Sequence, residues 1–244
     1  MNPLILSIET ATLGGGVCLF QADTVLAVVA GDPKLSHSNI LLRDVDDCLK
    51  QARVTIQDVE LFAAASGPGS FTGLRIGLAT VKALAATLQR PCVGIPTLQA
   101  IARTAGNSGA TVSLLPAGRG EVFVQEFSVG EDVIEVDAAA HLPPGRAIAR
   151  YGERQALNWV GPGALIHQDL IASAAQAQGI SFQLAKPGHN ETPEQGWALI
   201  DGETCLAQHI AALAKRRFER RELEGAESLR AIYVRPSDAE LKCN

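Results

Sequence analysis

The residues best placed to do chemistry lie in Ser66-Gly67-Pro68-Gly69-Ser70-Phe71-Thr72-Gly73. An apolar run at 61–65, short enough for a buried strand, precedes them. Leu74, Leu78, Val81 and Ala85 follow at helical spacing. Strand, glycine loop and helix together make the usual anion site, because free N–H groups at a helix start face the loop. Gly67, Gly69 and Ser70, with Glu9 and Thr10 at the end of the first strand, are therefore the candidate cofactor contacts. The same glycines also suit a plain turn, where they permit positive φ and close backbone packing. Two nucleotide motifs fail. A P-loop needs Lys after its last glycine, and Gly73 is followed by Leu74. The dinucleotide fingerprint needs a third glycine where Thr72 stands.

Other chemistries find less support. His37, His141, His167, His189 and His209 are not spaced for one helical face, and no HExxH or Cys/His cluster exists, so no metal site is expected. His37 reads as a cap at a helix start or a ligand contact. Gly-x-Ser-x-Gly is absent around Ser70, and no His and acid can be assigned to a triad. No catalytic residue is assigned. Asp44, Asp46 and Asp47 read as a solvated helix face. The basic run KRRFERR at 215–221 reads as a solvated face or an RNA contact; the net charge of −5 opposes a generally basic nucleic-acid surface.

Several elements must position these residues. Strands are expected at 3–9, 17–20 and 24–30, then a helix capped by Ser36 or Ser38 and running to about Ala52. A strand at 61–65, a helix at 72–89, a strand at 91–95 and a short helix at 96–104 complete a βββαβαβα lobe over 1–105. Gly106-Asn107-Ser108-Gly109 is the best linker. A similar, more irregular order follows over 106–202: strands at 111–115, 121–128, 133–136 and 158–160, with helices at 143–149 and 164–178. A helix at about 203–221 is expected to pack back on the first lobe, before an extended tail over 222–244. The pattern is a duplicated, two-lobed α/β fold. Hydrophobic residues make up 47% of the 244, ample for two cores. Five scattered cysteines without a CxxC pair, three of them inside apolar periodic runs and read as core residues, suit a reducing compartment. No apolar run reaches about 18 residues, so a cytoplasmic protein with no membrane partner is expected.

Two helices carry more apolar surface than one stripe needs. Ile40 and Leu42 lie off the Leu41/Val45/Leu49 line, and Gly73, Gly77, Ala79, Ala83 and Ala86 form a small-residue surface. The expected partner interface is Ile40, Leu41, Leu42, Val45, Leu49, Leu74, Gly77, Leu78 and Val81. Leu78→Glu or Gly77→Trp is expected to break pairing and leave the fold intact.

Four stretches, ILSIETAT (5–12), LSHSNILLRDVDDCL (35–49), AASGPGSFTGLRIGLATVKALA (64–85) and PCVGIPTLQAIA (91–102), closely resemble the TsaB (YeaZ) family, as does the tail at 233–239. The resemblance implies the actin/Hsp70-like ATPase (ASKHA) fold with ribonuclease H-like lobes. It implies a non-catalytic scaffold in the complex that adds threonylcarbamoyl to adenosine beside the tRNA anticodon. The implied partners are a TsaD-like catalytic subunit and a TsaE-like ATPase, with tRNA as the complex's substrate and a homodimer when alone. No intrinsic cofactor is implied, and ATP only in the assembled complex. An older label, M22 glycoprotease, attaches to the same group. Its catalytic relatives carry two metal-binding histidines where this chain has Thr97 and Ile101. Glu9 stands where the family usually has Asp, and Pro116-Ala117-Gly118 replaces a usual Asp-Ala-Arg. The rival expectations are an M22-type metallopeptidase, an ATP-binding enzyme of the same fold, and tRNA binding through 215–221.

Overall fold

The computed structural model describes residues 2–186, 195–202 and 205–234. The chain divides into two compact units, 1–97 with 205–233, and 98–204 with 234–244. The division falls at Thr97/Leu98, ahead of the 106–109 linker favoured by composition.

The first unit holds a five-stranded sheet, ordered β3-β2-β1-β4-β5. Its strands are β1 (Ile5–Glu9), β2 (Gly16–Gln21), β3 (Thr24–Ala30), β4 (Leu61–Gly67) and β5 (Cys92–Pro96). The first three form an antiparallel meander, while β1, β4 and β5 run parallel. Helices α1 (His37–Ala52) and α2 (Phe71–Leu88) cover one face, where Leu6, Ile8, Val17, Leu19, Phe62 and Ala64 meet Leu41, Val45, Cys48, Leu78, Val81 and Ala85. Helix α7 (Ala207–Glu219) covers the other, and Ser7 donates to the Ala207 carbonyl at 2.7 Å. Strands covered on both faces read as unbroken apolar runs, as β4 does over 61–65.

The second unit repeats the plan. Strand β6 (Ser108–Gly118) pairs antiparallel with β7 (Glu121–Val129), and β7 with β8 (Val133–Glu135). Strand β6 runs parallel to β10 (Ala156–Val160), and β10 to β12 (Gly196–Ile200). Strand for strand, that is the order of the first sheet. Strand β11 (Phe182–Ala185) extends the edge, β9 (Ala140–Leu142) pairs with β7, and α3 (Thr97–Arg103) precedes β6. Trp159 and Trp197, with ring centroids 5.2 Å apart, centre a core closed by α4 (Pro144–Ala149), α5 (Pro162–Ile166) and α6 (Gln168–Ala177).

Several expectations change. The helix expected at 164–178 is two, broken at His167, whose φ of −107° and ψ of 25° are not helical. Strands β9, β11 and β12 had no counterpart in the sequence pattern. Ser36 occupies the cap position of α1 without a side-chain bond and instead meets the Ser38 hydroxyl at 2.8 Å. The start of the helix expected from 203 and the tail beyond 234 lie outside the described residues.

Candidate functional site

The five candidate cofactor contacts come together at the carboxyl ends of β1 and β4. Thr10 Oγ1 donates to the Gly73 carbonyl at 2.8 Å, and the Ser70 N–H donates to the Ala11 carbonyl at 2.8 Å. A Cβ at Gly69 would lie 2.5 Å from the Ala11 carbonyl oxygen, and one at Gly73 or Gly77 would overlap Thr10. Gly67, at φ 113°, sits under the Ile232 carbonyl, and the Ile232 N–H donates to the Ser66 carbonyl at 2.7 Å. The glycines thus let β1's following loop and the segment around Ile232 press directly on the start of α2. Donors that a phosphate would use are turned to this packing: the Gly73 N–H goes to the Ser70 hydroxyl at 3.2 Å.

Glu9 is fully buried and turned onto its own loop. Its Oε1 accepts the Ala11 N–H at 2.5 Å and the Thr12 N–H at 2.8 Å, while Oε2 accepts the Thr12 hydroxyl at 2.6 Å. Burial pushes its pKa above the ordinary carboxylate value, against the opposing pull of those donors and of nearby His37. His37 Nε2 lies 3.1 Å from the Thr12 carbonyl, which can only accept, so Nε2 carries the proton. Both carboxylate oxygens are therefore committed to holding residues 10–12.

The expected partner interface needs correction. Ile40, Leu41, Val45, Leu49, Leu74, Gly77, Leu78 and Val81 are all buried, most of them against the first unit's own sheet. Of the nine, Leu42 alone is exposed, at 70%. The Gly73/Gly77 stripe packs on Thr10, within the unit. Leu78→Glu and Gly77→Trp would break the fold, since both side chains would enter the core. Asp44 is buried beside the Arg43 guanidinium at 3.2 Å, while Asp46 pairs with Lys50 on the solvent side as expected.

A different face of the same helices is open. Helix α2 buries six of its eighteen residues, and Phe71, Thr72, Arg75, Ala79, Ala83 and Ala86 are exposed. Beside its start, the Arg75 guanidinium lies 3.9 Å over the Phe71 ring, and Tyr233 meets that ring at 5.5 Å. Sequence reasoning missed this cluster, having read Phe71 as a turn residue and 233 as tail. By length and composition α2 is the one described helix able to cross a membrane, but its Leu78, Val81 and Ala85 lie in the sheet's core.

Elsewhere, the basic run is largely neutralised. Lys215 meets Asp23 at 2.5 Å and Glu219 at 3.3 Å, Arg216 meets Glu219 at 3.4 Å, and Arg217 meets Glu222 at 2.9 Å. Thr97 and Ile101 are both buried. Among the described residues no three His, Cys, Asp or Glu side chains gather as a metal site requires.

The sequence model of the family described as TsaD, tRNA N6-adenosine threonylcarbamoyltransferase, matches residues 31–215. The chain is 28% identical over 240 residues to the tRNA threonylcarbamoyladenosine biosynthesis protein TsaB of Escherichia coli, covering 95% of this chain and 94% of that one. It is 27% identical over 242 residues to the protein of the same name from Bacillus subtilis, covering 98% and 96%. The solved structure of YeaZ from Pseudomonas aeruginosa superposes with a TM-score of 0.72 at 24% identity, over 95% of this chain and 99% of that one; at that identity the likeness establishes the fold. Matched over well more than half its length, and similar end to end to proteins named TsaB, the chain belongs to the TsaD family.

Proposed function

We propose that this chain is the non-catalytic scaffold of the machinery that adds threonylcarbamoyl to adenosine beside the tRNA anticodon. It pairs with a TsaD-like catalytic subunit through the outward faces of α1 and α2. A TsaE-like ATPase joins the pair in the cytoplasm, tRNA is the substrate of the whole, and nucleotide is used only there. Alone, the chain pairs with itself. The names of the two end-to-end relatives support the pathway.

One observation of geometry carries the scaffold role. Helix α2 is rich in apolar residues yet turns six of eighteen inward, leaving Phe71, Ala79, Ala83 and Ala86 uncovered, and Leu42 of α1 is exposed as well. Apolar residues left exposed together on one side of a helix suit a docking site. The loop where a nucleotide would sit is filled by Thr10, Ala11 and Ile232 of the chain itself, which favours a scaffold over an ATP-using enzyme. The test is light scattering after size exclusion, with the chain alone and mixed with the TsaD-like protein of its own organism. A species holding one copy of each supports the proposal; two unchanged separate peaks overturn it.

A further inference from the structure

We infer that the open face of α2 selects an acidic helix, and so favours a different protein over a second copy of this chain. The inference rests on the docking role proposed above and adds the chemistry of the partner. Helix α2 contains Arg75 and Lys82, with Arg90 just past its end, and no acidic residue. None of the three cations makes an ion pair among the described residues. That contrasts with the run at 215–221, where Lys215, Arg216 and Arg217 are each paired.

The spacing is regular. Arg75 and Lys82 stand seven residues apart, about two helical turns, so they fall along one side of the helix, while Arg90 follows the left-handed C-cap Gln89. Between them stand Ala79, Ala83 and Ala86, small enough to let another helix approach closely. At the N-terminal tip the Arg75 guanidinium lies over the Phe71 ring, which Tyr233 also meets. A planar, pre-positioned guanidinium suits a carboxylate accepting two bonds, and Arg, Tyr and Phe are the residue types that anchor interfaces. A helix bearing Asp or Glu at two-turn spacing would therefore fit. A second copy laid α2 against α2 would set cation against cation.

Two pairings on one surface should thus respond differently to salt. The test is sedimentation equilibrium of the full chain, alone and with the TsaD-like subunit, from about 50 to about 500 mM NaCl, where screening removes most exposed charge interaction. The mixed complex should weaken on the order of tenfold across that range. Self-association should be unchanged or tighten. In the double variant Arg75→Glu, Lys82→Glu, the mixed complex should weaken further at low salt and self-association should not fall. Circular dichroism of the variant should match the native chain, since both side chains lie outside the core. A mixed complex indifferent to salt and to the double variant overturns this inference alone. The absence of any mixed complex overturns it together with the proposed function.

Discussion

Glu9 offers a sharp test of what the loop at the end of β1 does. Its two oxygens accept two backbone N–H groups and one hydroxyl, all within residues 11 and 12. Glu9→Gln keeps the shape. The amide oxygen can accept both N–H groups, and the amide nitrogen can donate to Thr12 Oγ1, which then accepts. Glu9→Ala removes every acceptor and leaves the Ala11 N–H buried without a partner. At about 1–3 kcal/mol for each buried donor left unmet, the Ala variant should lose roughly 3 kcal/mol. At about 2–4 °C per kcal/mol, its Tm should fall on the order of 10 °C. The Gln variant should instead match or exceed the native chain at neutral pH, because burial disfavours the native carboxylate. The sign follows from linkage. A carboxyl raised by burial adds stability below the ordinary carboxylate pKa, and that contribution is lost as pH rises through the raised value, at about 1.4 kcal/mol per unit of raise. The native chain should therefore lose stability relative to the Glu9→Gln variant as pH climbs from about 4.5 toward neutral, read by thermal melts at each pH. A Gln variant as unstable as the Ala variant would mean that the carboxylate's charge is what the site needs. That would refute the account of Glu9 as a loop clamp.

Three further outcomes follow from the same packing. Gly73→Ala drives a methyl into the Thr10 carbonyl, which is backbone and cannot swing away, so it should cost about 1–3 kcal/mol in chemical denaturation. Leu78→Glu should lower the Tm and abolish cooperative unfolding of the first unit. Ala83→Trp, on the exposed side of the same helix, should leave the melt unchanged and reduce pairing with the TsaD-like subunit at least about tenfold by titration. Burial pushes the Cys18 thiol up to about 12 and those of Cys48 and Cys92 up to about 11. Native protein at pH 8 should leave all three unmodified by a thiol reagent, and denatured protein should expose them.

Most of the first unit was legible in the sequence because its strands and helices are long, strongly periodic and punctuated by Gly, Asn or Ser. The second unit hid β11 and β12. The former has four residues, none fully buried, and the latter is a five-residue apolar run that could equally start a helix. The α5–α6 break was invisible because apolar residues continue on both sides of His167, and only the backbone turns. The docking residues were misplaced for a deeper reason. Periodicity reports which face of a helix is apolar but not what covers it. Leu41, Val45, Leu78 and Val81 meet β1, β2 and β4, so the helices' strongest stripe serves the core. The weaker face, made of alanines and unpaired cations, is what remains for a partner. The candidate nucleotide loop shows the same ambiguity. Its glycines satisfy the pattern of an anion site, but Thr10, Ala11 and Ile232 already occupy the close approach they permit.

The central claim is that this chain acts by docking, with its open α2 face against a catalytic partner. The most direct measurement is the mass, by light scattering after size exclusion, of the chain mixed with its own organism's TsaD-like protein, run for the native chain and for Ala83→Trp. The account predicts a one-to-one species with the native chain and its loss with the variant, whose fold remains intact. A complex formed equally well by both would contradict the assigned surface, and no complex with either would contradict the docking role itself.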